Sequence, residues 1–296
     1  MAETFRLRKV VVYGAGLIGG SFALALKEAG AVDEVVGFGR RRHNLEKAKA
    51  LGILDRIGEL ASEARELADA TLVLVATPVA QMPEIFARIA PLIGSDTVVT
   101  DGGSTKGDVV AAARACFGAR IGQFVPAHPI AGTEHSGPEA AFATLYRGKK
   151  VVVAALPENP PALVERVSRA WTLCGASVAE LSPEMHDRVF AAVSHLPHLL
   201  SFALVHDLAV REDKDLYFAF AASGFRDFTR IAASHPEMWR DVCLANRAAL
   251  LEEITRFQAE LASLKTALAG ADGEQLEQAF DLARTARRAW AETQNK

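Results

Sequence analysis

The chain has 296 residues, half of them hydrophobic and 23% charged, the balance of an ordinary globular protein with room for two domains. A net charge of −3 supplies no basic field for nucleic acid or an anionic membrane, so neither is expected as a partner. The three cysteines, Cys116, Cys174 and Cys243, form no CxxC pair, which argues against a disulfide framework or a metal site and fits a reducing, cytoplasmic setting.

No uninterrupted apolar run reaches the ~18–20 residues of a membrane span. The apolar N-terminal stretch is broken by Gly14, Gly16 and Gly19, as a signal peptide would not be. Residues 9–13 read as a buried strand and Leu17 to Ala29 as a helix. Between them Gly14, Gly16 and Gly19 match G-x-G-x-x-G in strand–turn–helix context. The first glycine permits the tight turn, the second lets a pyrophosphate approach the backbone, and the third lets helix pack on strand. Leu17 and Ile18 open the helix whose N-terminus would face the phosphates, so Gly14, Gly16, Leu17, Ile18 and Gly19 are assigned to a nicotinamide dinucleotide.

A second strand covers residues 34–38. NAD sites place an acid about 20 residues after the fingerprint, on the ribose 2′-hydroxyl. Here that slot holds Gly39-Arg40-Arg41-Arg42. With no carboxylate to repel a 2′-phosphate, the three arginines favour NADP over NAD; the other reading is a solvated charge run. Strands at 71–75 and 97–100 follow, with Thr77 and Pro78 at the end of the third assigned to the cofactor site. Near-continuous apolar strands separated by helices imply a parallel sheet covered on both faces, which 123–125, 150–153 and 176–179 are expected to extend.

After Ser182 the strands stop. Ser182, Pro183 and Glu184 supply an N-cap, a first-turn proline and an early acid. The expected fold is an α/β Rossmann-type nucleotide-binding domain over residues 6–182 followed by an all-α C-terminal domain over 183–296. Leu250, Ile254, Phe257, Leu261, Leu264 and Leu268 form one apolar helix stripe, read either as core or as a subunit seam.

Four stretches carry candidate chemistry. Asp101-Gly102-Gly103-Ser104-Thr105-Lys106 ends the fourth strand at the carboxyl edge of the sheet, where open α/β folds bind ligands. His128-Pro129-Ile130-Ala131-Gly132-Thr133-Glu134 reads as a loop beyond the last parallel strand. Ser194-His195-Leu196-Pro197-His198 and Phe225-Arg226-Asp227-Phe228-Thr229-Arg230 lie in the helical part. Singly, Ser104 could be a helix cap, His195 or His198 a core histidine, and Arg230 a surface ion pair.

Together with the glycine fingerprint and Ser182-Pro183-Glu184-Met185-His186-Asp187, these stretches resemble the prephenate/arogenate dehydrogenase family of tyrosine biosynthesis, from about Lys9 to Trp239. The resemblance implies NADP- or NAD-dependent oxidative decarboxylation of a cyclohexadiene, prephenate and/or arogenate, and a homodimer built through the C-terminal helices. It implies that His128 accepts the proton of the ring 4-hydroxyl and that Ser104 shares that hydroxyl near the nicotinamide. His198 would line the substrate pocket and Arg230 bind a substrate carboxylate, with Glu134 and Asp227 near that arginine. Other two-domain NADP-dependent dehydrogenases of the β-hydroxyacid or imino-acid type, and a non-catalytic nucleotide sensor, remain as alternatives. The first typically use a lysine or other donors on the interdomain helix; the second would not need Ser104, His128 and Arg230 together.

Overall fold

The computed structural model describes residues 5–133 and 135–294. The chain divides into two compact units, one reaching Arg247 and the other beginning at Ala248. In the first, β1 (Leu7–Tyr13), β2 (Val32–Phe38), β3 (Arg56–Ile57), β4 (Leu72–Val75), β5 (Val98–Asp101) and β6 (Phe124–Val125) form a parallel sheet in the order β3-β2-β1-β4-β5-β6. Between them run α1 (Leu17–Glu28), α2 (Arg42–Ala50), α3 (Glu63–Ala68), α4 (Met82–Ile89) and α5 (Gly107–Phe117). This is the doubly wound order whose switch point falls between β1 and β4.

Alternation along the strands builds two cores. Val10, Val12, Leu72 and Leu74 face one side and pack with Phe22, Leu26 and Trp171. Val11, Tyr13, Val73 and Val75 face the other and pack with Phe86, Ile89 and Phe124. Trp171, on α6 (Pro161–Leu173), meets the Phe22 ring at 4.5 Å and has no accessible surface. Burying each large apolar chain contributes ~1.5–3 kcal/mol, so both faces must be covered for the sheet to persist.

Two expectations are corrected. β8 (Lys150–Val153) and β9 (Ser177–Glu180) do not extend the parallel sheet. They form a second one, β7-β8-β9, with β7 (Ala127–Pro129) antiparallel to β8 and β9 parallel to it. His128 therefore lies in a strand, paired with Val152, and not in a loop. The break between the sheets comes at Pro126, which has no backbone N–H to continue the ladder of β6.

Beyond β9 every element among the described residues is helical. Ser182 caps α7 (Pro183–Phe190), its hydroxyl accepting from Met185 N at 3.1 Å. A π-helical turn, Ala191–His195, joins α7 to α8 (Leu196–Ala209). The whole run, Pro183–Ala209, is long and apolar enough by length and composition to cross a membrane, which corrects the expectation that no apolar run reaches that length. Here it carries Glu184, His186, Asp187, Arg188, His195 and His198, and its first turns pack on α5. Then come α9 (Lys214–Ala219), α10 (Ser223–Thr229) and α11 (Pro236–Ala245).

The second unit holds most of α12 (Arg247–Ala269) and all of α13 (Gly273–Gln294), joined by a turn in which Ala271 has φ of 51°. Within the apolar stripe Leu250 is buried, while Leu261 and Leu268 are 50% and 66% exposed. Phe280, Leu282 and Trp290 on α13 are exposed as well.

One buried ion pair ties the sheets together. Lys106 Nζ donates to Asp101 Oδ2, and both side chains are fully buried. Asp101 also accepts from Gly103 N at 2.8 Å and from Ala127 N at 3.0 Å, fastening the end of β5 to the start of β7. Removing one partner of such a pair leaves an uncompensated buried charge. Lys106→Met is expected to cost about 3–5 kcal/mol, read by urea denaturation. A loss below about 1 kcal/mol would show that the pair only orients the turn.

Candidate active site

The fingerprint glycines are placed as a phosphate cradle requires. Gly14 has φ of +94°, and a Cβ there would sit 2.7 Å from Ala76 O. A Cβ on Gly19 would lie 2.2 Å from Gly14 O, so only glycine lets α1 pack this close to β1. Gly16 faces open space, its nearest neighbour being Gly137 N at 4.0 Å from a built Cβ. Gly16 is also the N-cap of α1, and no side chain caps that end. The N–H groups of the first turn are thus left for an anionic ligand. Beside this turn, Thr77 Oγ1 is buried without a hydrogen-bond partner among the described residues. These features fit a dinucleotide.

At the end of β2, Gly39, Arg40 and Arg41 are exposed. Arg42 opens α2 and is engaged by Glu46 at 3.1 Å and Glu59 at 2.5 Å. Among the described residues Arg40 and Arg41 make no ion pair, which leaves two of the three arginines available to a phosphate.

Gly102 links this cradle to the candidate site residues Ser104 and His128. A Cβ there would meet Ile18 Cγ2 at 3.1 Å and Pro129 Cδ at 3.8 Å, so the start of α1, the turn after β5 and β7 converge on one glycine. Ser104 follows on that turn, partly accessible. His128 is adjacent, its ring edge-on to Phe190 and to His186.

His128 Nδ1 lies 2.8 Å from His186 Nε2, and His186 Nδ1 lies 2.8 Å from Asp187 Oδ1. Asp187 is held in turn by α5: its Oδ1 accepts from Lys106 N at 2.8 Å and its Oδ2 from Gly107 N at 2.7 Å. A Cβ on Gly107 would come within 2.9 Å of that oxygen, which explains the glycine. Reading the sequence did not assign roles to His186 and Asp187. The available signal is that Pro183, His186 and Phe190 share the buried face of α7, a histidine on an otherwise apolar stripe.

Burial sets the charges. It holds His128 well below the ordinary histidine value, with further lowering from His186, Lys106 and His195. Burial also lowers His186, against the opposing pull of Asp187. His195 falls to about 4, chiefly by burial. The Asp187 carboxyl is lowered: burial would raise it, but the hydrogen bonds from His186, Gly107 and Lys106 win. At neutral pH the three rings are uncharged and Asp187 is a carboxylate.

His195 is a core histidine. Asn246 Nδ2 donates to Asp187 O at 2.7 Å and faces His195 Nδ1 at 3.1 Å, so that nitrogen accepts and Nε2 carries the hydrogen. A hydrogen bond to the Ser104 backbone is consistent with that tautomer.

His198 donates from Nδ1 to Ser194 O at 2.8 Å and stacks on Trp239, with ring centroids 3.5 Å apart. Trp239 Nε1 is buried without a hydrogen-bond partner among the described residues. Burial lowers the His198 pKa, and the charge of Arg230 adds to that effect, which places the arginine near this ring. Arg230 itself is exposed. Asp227 pairs with Arg226 at 3.4 Å and makes no ion pair with Arg230. Glu134 lies outside the described residues.

The family model for the prephenate dehydrogenase nucleotide-binding domain matches residues 22–180, and that for the prephenate dehydrogenase dimerization domain matches 182–282. A cyclohexadienyl dehydrogenase of Zymomonas mobilis is 34% identical over 95% of each chain. A prephenate dehydrogenase of Bacillus subtilis is 34% identical over 93% of this chain and 74% of its own length. The crystal structure of Aquifex aeolicus prephenate dehydrogenase with hydroxyphenyl propionate and NAD+ superposes with a TM-score of 0.91, at 35% identity, covering 97% of this chain and 99% of that one. Two domain models covering most of the sequence, relatives aligned nearly end to end, and a shared fold give one conclusion: the chain belongs to the prephenate dehydrogenase family of oxidoreductases.

Proposed function

We propose that this protein oxidatively decarboxylates prephenate and/or arogenate, with nucleotide binding in residues 6–182 and substrate binding and dimerisation in 183–296. The observation that carries the reading is a neutral, partly accessible histidine, His128, one glycine away from an uncapped helix end built for a dinucleotide. When bound, the nicotinamide supplies the hydride acceptor. His128 takes the proton of the ring 4-hydroxyl while hydride leaves the same carbon. The bond to the ring carboxylate breaks, CO2 departs, its electron pair completes the aromatic ring, and the phenolate oxygen so formed takes the proton back from His128. A neutral imidazole can accept that proton without placing positive charge beside a carbon that is losing hydride. Ser104 shares the hydroxyl, His198 on Trp239 forms a wall of the pocket, and Arg230 receives a side-chain carboxylate.

Purified protein mixed with each substrate and each nicotinamide should show reduced-nicotinamide absorbance. His128→Asn is expected to bind cofactor normally but lose ~10²–10⁴-fold in kcat. A loss of less than about tenfold where chemistry limits the rate would remove His128 from this role.

We further propose a preference for NADP, supported by exposed Arg40 and Arg41 and by the missing acid after β2. A side chain at Gly39 would meet only Leu45, at 3.4 Å, so Gly39→Asp can be accommodated. It should shift kcat/KM toward NAD by about tenfold or more through repulsion of the 2′-phosphate. A higher kcat/KM for NAD in the unmodified protein would overturn the preference.

The exposed apolar residues of α12 and α13 support a homodimer, since covering them contributes ~25 cal/mol per Å² before the costs of association. Light scattering at micromolar concentration should give twice the chain mass of 31.7 kDa. A monomer mass would defeat this assignment.

A further inference from the structure

We propose that His186, anchored by Asp187, is a positioning residue that fixes the tautomer of His128 and so leaves its Nε2 lone pair available as the base. The inference rests on reading His128 as the proton acceptor. It starts from two atoms whose roles cannot change: the backbone N–H groups of Lys106 and Gly107, which donate to Asp187 Oδ1 and Oδ2 at 2.8 and 2.7 Å. A carboxylate so engaged accepts only, so His186 Nδ1, 2.8 Å from Oδ1, carries the hydrogen. A neutral imidazole has one N–H, so His186 Nε2 is a lone pair. The His128 Nδ1 that faces it at 2.8 Å must therefore donate, and the lone pair of His128 falls on Nε2.

The chain runs in this sense only while His186 is neutral. A second proton on His186 would make its Nε2 a donor, force His128 Nδ1 to accept, and put the hydrogen of His128 on Nε2, where it blocks the base. The groups facing the two rings are Asp101 at the end of β5, Lys106 from the turn that follows it, Asp187 from α7 and His195 from the π-helical turn. Asp187, and more weakly Asp101, favour protonation of His186. Burial and the charge of Lys106 oppose it and prevail.

Two measurements test the proposal. In protein carrying ¹⁵N-labelled histidine, without substrate or cofactor, long-range ¹⁵N–¹H correlation above pH 7 should report His128 as the Nδ1–H tautomer. An Nε2–H tautomer would overturn the proposal, whatever the protein turns over. In kinetics, His186→Leu removes the acceptor for His128 Nδ1–H and should lower kcat about 10²-fold, with KM and cofactor affinity changed less than about threefold. His186→Gln, whose amide oxygen can take the place of Nε2, should restore at least about a tenth of the original kcat. A folded His186→Leu within about threefold of the parent, or an equal loss in the leucine and glutamine variants, would reduce His186 to a packing residue. If the unmodified protein turned over neither substrate, the proposed reaction would fall while the tautomer measurement still decided this point.

Discussion

The carboxylate of Asp187 accepts hydrogen bonds from three groups on two elements: two backbone N–H groups at the start of α5 and the imidazole of the neighbouring His186. It is the anion that the positive end of α5 calls for, supplied from a helix 80 residues away in sequence. Hydrogen bonds to a charged group contribute ~1.5–3 kcal/mol each, enough to offset taking the carboxylate largely out of water. Because α5 begins directly after the turn bearing Ser104 and Lys106, the same bond sets the distance between that turn and α7. The positions of Ser104, His128, His186 and His195 relative to one another all descend from it. Asn246, which donates to the backbone carbonyl of Asp187, braces the same point from the end of α11.

The parallel sheet was legible because strands buried on both faces must be nearly all apolar, and β1, β2, β4 and β5 are. The second sheet was not. Residues 150–153 read as buried strand, but apolar composition reports burial and says nothing of the partner, and a single proline at 126 redirected the chain. β3 escaped notice because two residues, Arg56 and Ile57, carry no periodicity. Within the site, the glycines and His128 stood out because their chemistry is local in sequence. The partners did not, since His186 becomes meaningful only when α7 turns that face toward β7. Nor could the run of three arginines show that Arg42 is occupied by Glu59, 17 residues on.

The electrostatics of the site follow from burial, and burial exacts a cost in acid. His128, His186, His195 and His198 all have folded-state pKa values below the ordinary 6.5. The unfolded chain therefore binds more protons below pH 6.5, and stability falls with pH there. The contribution of these rings is complete above 6.5. For His195 it is lost across the window from 6.5 down to about 4. The burial that keeps these imidazoles neutral at physiological pH is the constraint that makes the site acid-sensitive.

Lys106 looks at first like a poor neighbour for such a base. Its buried ammonium lies close enough to lower both His128 and His186, and a lone cation would also oppose positive charge developing at a carbon losing hydride. Asp101 resolves this. It is salt-bridged to Lys106 in a fully buried pair, so the pair's net charge is zero and its field falls off faster than that of a single ion. What remains near the rings adds to burial in disfavouring a second proton on His186. In the proposed reaction most of the driving force comes from the ring becoming aromatic, so the protein need not supply a strong base. It needs a neutral one with its lone pair on the correct nitrogen, and burial, with the charge of Lys106 adding to it, and the Asp187–His186 chain supply those two conditions separately.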